Sequence, residues 1–321
     1  MFTTRDNPMI LAQFGAASVA FREGYVSPAK TRANVKLTDE DVFAEPNWIW
    51  EHSWSGLSPG SPFAALPLML QIRSQYGEKV SGRRPDLVLE SGASGGGSSA
   101  PGGTRVSFPK PAETAEKDPD TVWRAVRRVL DEQKLAKLPE PGATTFPSDT
   151  GELNWDTAKG AFTINSPRFQ AAVGFLAGER FRLADFTIDL ADKGAVGSTS
   201  AKVAAISLCP LDGRPLKESS RILLTVTGRA EDTGQIWEEG SEGDIAADSG
   251  ERPVLAEPVR GQLVWSGRKL RIFALSASGN RAKEIALKKQ GSLAFGGDQT
   301  MWYELVPADT PDSAEESLHA Y

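Results

Sequence analysis

The chain has 321 residues and a mass of 34.5 kDa, enough for about two domains at roughly 150 residues each. Its formal charge of −6 and pI near 5.2 exclude the basic face with which a general nucleic-acid binder displaces counterions from phosphates, so neutral or sugar-like ligands stay open and nucleic acid does not. A single cysteine, Cys209, excludes an internal disulfide, no apolar run approaches the roughly 18 residues that span a bilayer, and the first residues lack a basic segment followed by a hydrophobic one, so we expect a soluble chain of undetermined compartment.

Residues 6–22 predict the first helix. Asp6 or Asn7 can cap it, and Pro8 takes the first helical position, where its missing N–H costs nothing. Ile10, Phe14, Ala17 and Phe21 recur at helical spacing and predict one buried apolar stripe. Gly24 stops the helix, Pro28 keeps Ser27 out of the α region, and a short strand is expected over Asn34 to Leu37.

The stretch Pro46 to Trp54 concentrates Trp48, Trp50 and Trp54 beside Glu51 and His52. Flat rings stack on the apolar face of a sugar while a carboxylate and an imidazole hydrogen-bond its hydroxyls, which makes these five residues candidate carbohydrate contacts. The same rings would equally serve to pin an irregular segment onto the main body, with Glu51 and His52 solvated. After Pro62, the run Phe63, Leu66, Leu68, Met69, Leu70 and Ile72 predicts a short buried helix ending near Tyr76 and Gly77.

Residues 92–103, GASGGGSSAPGG, carry almost no apolar surface and predict a mobile loop or linker. A phosphate cradle would need a helix directly after the glycines and a Lys-Ser or Lys-Thr pair at its end, and neither is present. Asp120 to Leu138 predicts a helix with Trp123, Val126 and Leu130 along one side, and its basic run Arg124, Arg127 and Arg128 reads as a solvated face. Pro139 and Pro141 end it. The expected division is an α/β segment over 1–76, a Gly/Ser-rich linker with one helix over 77–145, a β-sandwich over 146–308 and a tail over 309–321.

Turn chemistry at Asp149-Thr150-Gly151 and Ala158-Lys159-Gly160 brackets the first strands of the sandwich. Strands are expected over Glu152–Trp155, Ala161–Asn165, Phe181–Leu190, Ala201–Cys209, Arg221–Gly228, Pro253–Glu257, Gly261–Trp265, Leu270–Leu275, Ala282–Lys288, Ser292–Phe295 and Thr300–Leu305, with one helical turn at 168–176. Such short, evenly spaced strands predict a sandwich or barrel burying Trp155, Phe162, Phe186, Leu223, Val264, Phe273 and Trp302. Cys209, between apolar neighbours, is expected as a buried structural thiol. The acidic run Glu231, Asp232, Glu238, Glu239, Glu242 and Asp244 reads as a solvated Gly-rich loop, since its spacing does not match a calcium loop. With His52 in an irregular segment and His319 near the terminus, no Ser/His/Asp triad is expected, and no metal or cofactor site emerges.

The blocks SDTGELNWDTAKGAFTINSPRFQAAVGF, ILLTVTGRAEDTG, PVLAEPVRGQLVW and QTMWYELV resemble the C-terminal β-sandwich region of bacterial glycoside hydrolases built on a (β/α)8 barrel, and NPMILAQFGAASVAFREGYVSPAK is similar to the last barrel helix and its exit. The resemblance implies a mainly β fold, an antiparallel β-sandwich preceded by a smaller α/β segment like the end of a barrel. It implies a polysaccharide or oligosaccharide ligand and a catalytic barrel as a partner on the same or a neighbouring polypeptide. In such barrels the two catalytic carboxylates lie on earlier strands, so the resemblance implies that they precede Met1 and that no catalytic residue lies in this chain. A stand-alone carbohydrate-binding module and a structural interaction domain without a small-molecule site are the alternatives.

Overall fold

In a computed structural model the chain is mainly β, with 46% strand and 11% helix. The structure describes residues 8–37, 66–76, 84–91, 98–100, 103–108, 121–136, 139–140, 142–190, 203–240, 243–248 and 250–310. Two compact units emerge, Met1–Val26 with Lys159–Tyr321, and Ser27–Ala158. The expected cuts at 76, 145 and 308 do not coincide with this grouping. Helix α1 (Pro8–Arg22) opens the chain and belongs to the first unit.

The unit Ser27–Ala158 contains β1 (Thr31–Leu37), a helical turn α2 (Leu66–Met69), β2 (Leu70–Tyr76), β3 (Leu87–Ser91), β4 (Ser98–Ala100), β5 (Gly103–Phe108), α3 (Thr121–Glu132), β6 (Thr145–Pro147) and β7 (Leu153–Asp156). One sheet runs β2-β1-β3-β5-β4, with β1, β2, β3 and β5 parallel and β4 antiparallel to β5. Parallel neighbours require crossover connections. Val129 and Leu130 of α3 join Ala33, Leu70, Leu87, Leu89 and Val106 in one core, and the Thr31 hydroxyl donates to the Leu135 carbonyl at 2.9 Å, tying the end of α3 to β1.

Two expectations fail in this unit. The helix predicted to end near Tyr76 and Gly77 stops at Met69, because pairing from Thr31↔Leu70 to Leu37↔Tyr76 gives the following residues strand partners that outweigh local propensity. The predicted linker also contributes β4 and β5 to the sheet. Gly103 is required there for a steric reason: its φ is +116°, and a Cβ would lie 2.5 Å from the Pro85 carbonyl oxygen.

The other unit contains β8 (Ala161–Asn165), β9 (Gln170–Gly174), β10 (Arg180–Arg182), β11 (Phe186–Asp189), β12 (Ala204–Pro210), β13 (Ile222–Thr227), β14 (Ala230–Thr233), β15 (Ile236–Gly240), β16 (Gly243–Asp248), β17 (Glu251–Ala256), β18 (Gly261–Trp265), β19 (Leu270–Leu275), β20 (Arg281–Glu284), β21 (Ser292–Phe295) and β22 (Trp302–Pro307). Antiparallel neighbours follow the orders β10-β11-β18-β21 and β20-β19-β22-β13-β12-β9-β8. Both sheets supply alternate residues to a single core: Phe186, Ile188, Leu263, Trp265 and Phe295 from the first, and Ile206, Leu208, Ile222, Leu224, Ile272, Tyr303 and Leu305 from the second. Of the acidic run expected as a loop, Glu231, Asp232, Glu238, Glu239 and Asp244 lie instead in paired strands, β14 with β17 and β15 with β16, and Glu242 lies outside the described residues.

Of the seven residues expected in the core, only Phe186 belongs to it. Leu223, Phe273 and Trp302 sit one position out of phase with Leu224, Ile272 and Tyr303, and so gather in a separate cluster with Leu275 and Val306. Val264 is 37% exposed, Phe162 is half-buried, and Trp155 packs beside Phe146 in the other unit with ring centroids 6.0 Å apart. The helical turn expected at 168–176 is strand β9, whose Gln170–Ala172 are buried between β8 and β12.

Helix α1 packs on β12 and β13, but not by the predicted face. Met9, Ala12, Ala16 and Ala20 are buried, whereas Ile10, Phe14 and Phe21 are 42%, 51% and 89% exposed. Both stripes have helical spacing, so periodicity alone does not choose between them. The close fit favours alanine: Gln13 reaches the sheet, donating at 2.8 Å to the Ala205 carbonyl and accepting at 2.8 Å from the Ser207 hydroxyl. Cys209 is buried beneath Ala16, Ala20 and Tyr25, as expected, and burial pushes its thiol up to about 12.

Two outcomes follow from this packing. Ala16→Leu should lower unfolding free energy in urea by about 1–3 kcal/mol through overpacking, whereas Phe14→Ser should change it by less than about 0.5 kcal/mol. In native protein at pH 8, Cys209 should not react with a chromogenic disulfide reagent, and it should react fully once unfolded, as absorbance would show.

Candidate functional site

The five residues Trp48, Trp50, Glu51, His52 and Trp54 lie outside the described residues. Among the described residues, a cleft of about 220 Å³ in the β-rich unit gathers Asp185, Phe186, Lys217, Trp265, Ser266 and Arg268. Three turns build it, and each is fixed by hydrogen bonds.

The first turn joins β10 to β11, where one continuous strand over Phe181–Leu190 was expected. The chain reverses because Leu183 N–H donates to the Phe186 carbonyl at 2.9 Å. Fully buried Gln170 clamps the turn from both sides, donating from Nε2 to an Asp185 carboxylate oxygen at 2.7 Å and accepting at 3.3 Å from the Asp185 N–H. A hydrogen-bonded turn outweighs the alternation that predicts a straight strand.

The second turn lies between β12 and β13. Glu218 and Ser219 N–H groups both donate to the Pro215 carbonyl, and Leu216 N–H donates to the Pro167 carbonyl at 2.8 Å. Leu216 is thereby buried in the core and Lys217 points outward, exposed, with its ammonium 3.6 Å from the Glu218 carboxylate. At the base of the same loop, Asp212 accepts from the Ser220 N–H at 2.6 Å and the Ser220 hydroxyl at 2.8 Å. Partial burial raises the Asp212 pKa, but hydrogen bonds from Ser220, Ser219 and Arg214 prevail and hold it below the usual carboxylate value.

The third turn, Ser266 to Lys269, links β18 to β19 across the two sheets. Gly267 has φ +96°, a conformation that side chains disfavour. The Trp265 indole N–H donates to the Arg268 carbonyl at 3.1 Å, closing the turn on itself. The Arg268 guanidinium crosses to the second turn and donates to the Ser219 carbonyl at 2.5 Å and the Leu216 carbonyl at 2.6 Å. Burial lowers its pKa against the opposing fields of Asp185 and Asp212. It stays charged, as guanidinium does in proteins.

The cleft therefore has an apolar floor of Phe186, Leu216 and Trp265, all buried, and a polar rim of Asp185, Lys217, Ser266 and Arg268. Among the described residues, Asp185 is its only lining carboxylate. Sequence reasoning missed all four rim residues. Their only sequence signals were turn signals, Pro215 and the Ser266-Gly267 pair, which announce a turn without saying that three turns converge.

A second hollow of similar size, in the other unit, is lined by Pro28, Ala29, Leu68, Leu70 and Leu153 with Asp149. Its polar groups hold the chain together: Lys30 N–H donates to Asp149 at 2.6 Å, and Ser27 N–H and hydroxyl donate to the Glu152 carboxylate at 2.5 and 3.0 Å. No group of three or more His, Cys, Asp or Glu among the described residues is arranged to hold a metal, and no described helix is long and apolar enough to cross a membrane.

The strongest charged cluster is Glu304, 2% exposed, which accepts from Arg221 at 2.7 Å and Arg281 at 2.6 Å. Arg281 and Arg271 both lie over the Phe273 ring, 4.3 and 5.1 Å from its centre. Charges so fully matched act as a brace joining β13, β22 and β20, not as a binding site. Glu304→Ala should lower stability by about 1–3 kcal/mol in urea unfolding, because it leaves two half-buried guanidinium groups without their shared carboxylate.

No protein-family model, curated protein or solved structure matches the chain.

Proposed function

We propose that the chain is a non-catalytic portion of a carbohydrate-active glycoside hydrolase, carrying an accessory β-sandwich that binds a saccharide. The cleft among the three turns carries this reading: a hydrophobic floor with an indole, ringed by hydrogen-bonding groups, suits a ligand with one apolar and many hydroxyl surfaces. One core filled from two antiparallel sheets supports the sandwich. The parallel strands β2, β1, β3 and β5 with α3 support a smaller α/β segment beside the sandwich. Hydrolysis of a glycoside needs two carboxyl groups about 5–9.5 Å apart, and the cleft offers Asp185 alone. The tryptophan-rich segment, with Trp48, Trp50, Glu51, His52 and Trp54, supplies a further contact surface in this proposal.

A second reading is a structural interaction domain, favoured by Ile10, Leu11, Phe14 and Phe21, all exposed on α1. Titrating the full chain with a panel of soluble polysaccharides while following tryptophan emission, and assaying the same panel for release of reducing ends, separates these possibilities. Saturable quenching without release of reducing ends is expected. Turnover would overturn the non-catalytic assignment, and absence of any saccharide binding would favour the interaction domain.

A further inference from the structure

The saccharide reading leaves the ligand's charge open, and the hydrogen-bond inventory of the cleft addresses it. Trp265 has its one donor engaged on the Arg268 carbonyl. Asp185 has one carboxylate oxygen engaged by Gln170. The Arg268 guanidinium has five N–H groups, and Nη1 and Nη2 each place one on a backbone carbonyl, at Ser219 and Leu216. Lys217 has only the ammonium–carboxylate contact with Glu218, where the side chains are 67% and 60% exposed, a geometry that contributes little. The lining therefore carries two cationic residues, Lys217 and Arg268, against one carboxylate, Asp185, with the Ser266 hydroxyl beside them.

We propose that the cleft binds a single acidic sugar unit, a hexuronate, through the juxtaposition of Lys217 and Arg268 with Asp185 and Ser266 above Phe186 and Trp265. The ligand carboxylate lies toward Lys217 and Arg268, and its hydroxyls donate to Asp185 and accept from Ser266. At about 220 Å³ the cleft is smaller than the roughly 300–1,000 Å³ of drug-sized sites, which limits it to one ring. Arg268 is already fixed by its two carbonyl contacts, so little side-chain entropy is lost when the anion arrives. This inference rests on the saccharide reading of the chain.

The test is calorimetric titration of the full chain with glucuronate, glucose and cyclohexanecarboxylate, repeated with Lys217→Gln, a substitution at an exposed position that leaves the core untouched. Glucuronate should bind more tightly than either other compound, and Lys217→Gln should weaken it about tenfold, the loss typical of one charge-assisted hydrogen bond. Equal binding of glucose and glucuronate would overturn the acidic-sugar assignment while leaving the saccharide reading intact. Cyclohexanecarboxylate binding as tightly as glucuronate would overturn the sugar assignment itself. Glucuronate affinity unchanged in Lys217→Gln, or no binding of any of the three, would remove the cleft as the site, and the polysaccharide panel would then decide the broader function separately.

Discussion

The core shared by the two antiparallel sheets is the constraint on which the β-rich unit depends. Each strand offers two faces, and only one can be filled by Ile206, Leu224, Ile272, Tyr303 and Leu305 against Ile188, Leu263 and Phe295. Because side chains alternate strictly, a slip of one residue in any strand would exchange that set for the opposite one. Pairing in register, with Leu224 opposite Tyr303 and Ile272 opposite Leu305, locks neighbouring strands into the same choice. Tyr303, the largest fully buried side chain, stays hydrogen-bonded through its hydroxyl, which accepts from Gly296 N–H at 3.3 Å. A phenol buried this deeply would be costly without that partner.

The face turned away from this core is finished by different chemistry at its two ends. Over β12 and β13, α1 lays down alanines and Gln13, which satisfies the sheet's polar side chains at Ser207 and Thr227. The chain leaving α1 is then anchored by the buried Ser166 hydroxyl, which donates to the Tyr25 carbonyl at 2.6 Å, and by Arg168, which donates to the Gly24 carbonyl at 3.0 Å. Over β22 and β19, the surface is covered instead by Arg221, Arg281 and Glu304 around Phe273. Here the guanidinium groups of Arg271 and Arg281 lie over the ring, and that of Arg281 also meets the Glu304 carboxylate. An apolar cluster and an ion network thus share one patch of sheet.

Much of the strand order was legible in the sequence. The strands Ala161–Asn165, Gly261–Trp265, Leu270–Leu275 and Ser292–Phe295 have the predicted bounds, because Gly and Ser punctuation brackets runs of apolar residues. The inward face was not legible, since choosing the bulky side chains at Phe162, Leu223, Phe273 and Trp302 picks the side where cationic neighbours and α1 do the covering. Size does not report which face meets the partner sheet. For the same reason, the Ile10–Phe14–Phe21 stripe of α1 misled: alanines at Ala12, Ala16 and Ala20 carry a weaker hydropathy signal but permit closer approach to a sheet. Segments whose strand character comes from long-range pairing, such as β2 and β5, give little local warning at all.

The cleft was illegible for a further reason, and that reason bears on its mechanism. Asp185, Lys217 and Arg268 are far apart in sequence and meet only because β11, β12 and β18 end near one another around the shared core. Each is held by a group bonded or buried beneath the rim: Gln170 for Asp185, Leu216 for Lys217, and the carbonyls of Leu216 and Ser219 for Arg268. Leu216 is the common element, since its side chain is sunk in the core, its N–H is bound to Pro167 and its carbonyl receives Arg268. Rim geometry is therefore set by core packing. A ligand meeting preset donors loses less ordering entropy than one that must gather flexible side chains, so affinity here depends on the fit of the two sheets as much as on the rim residues themselves.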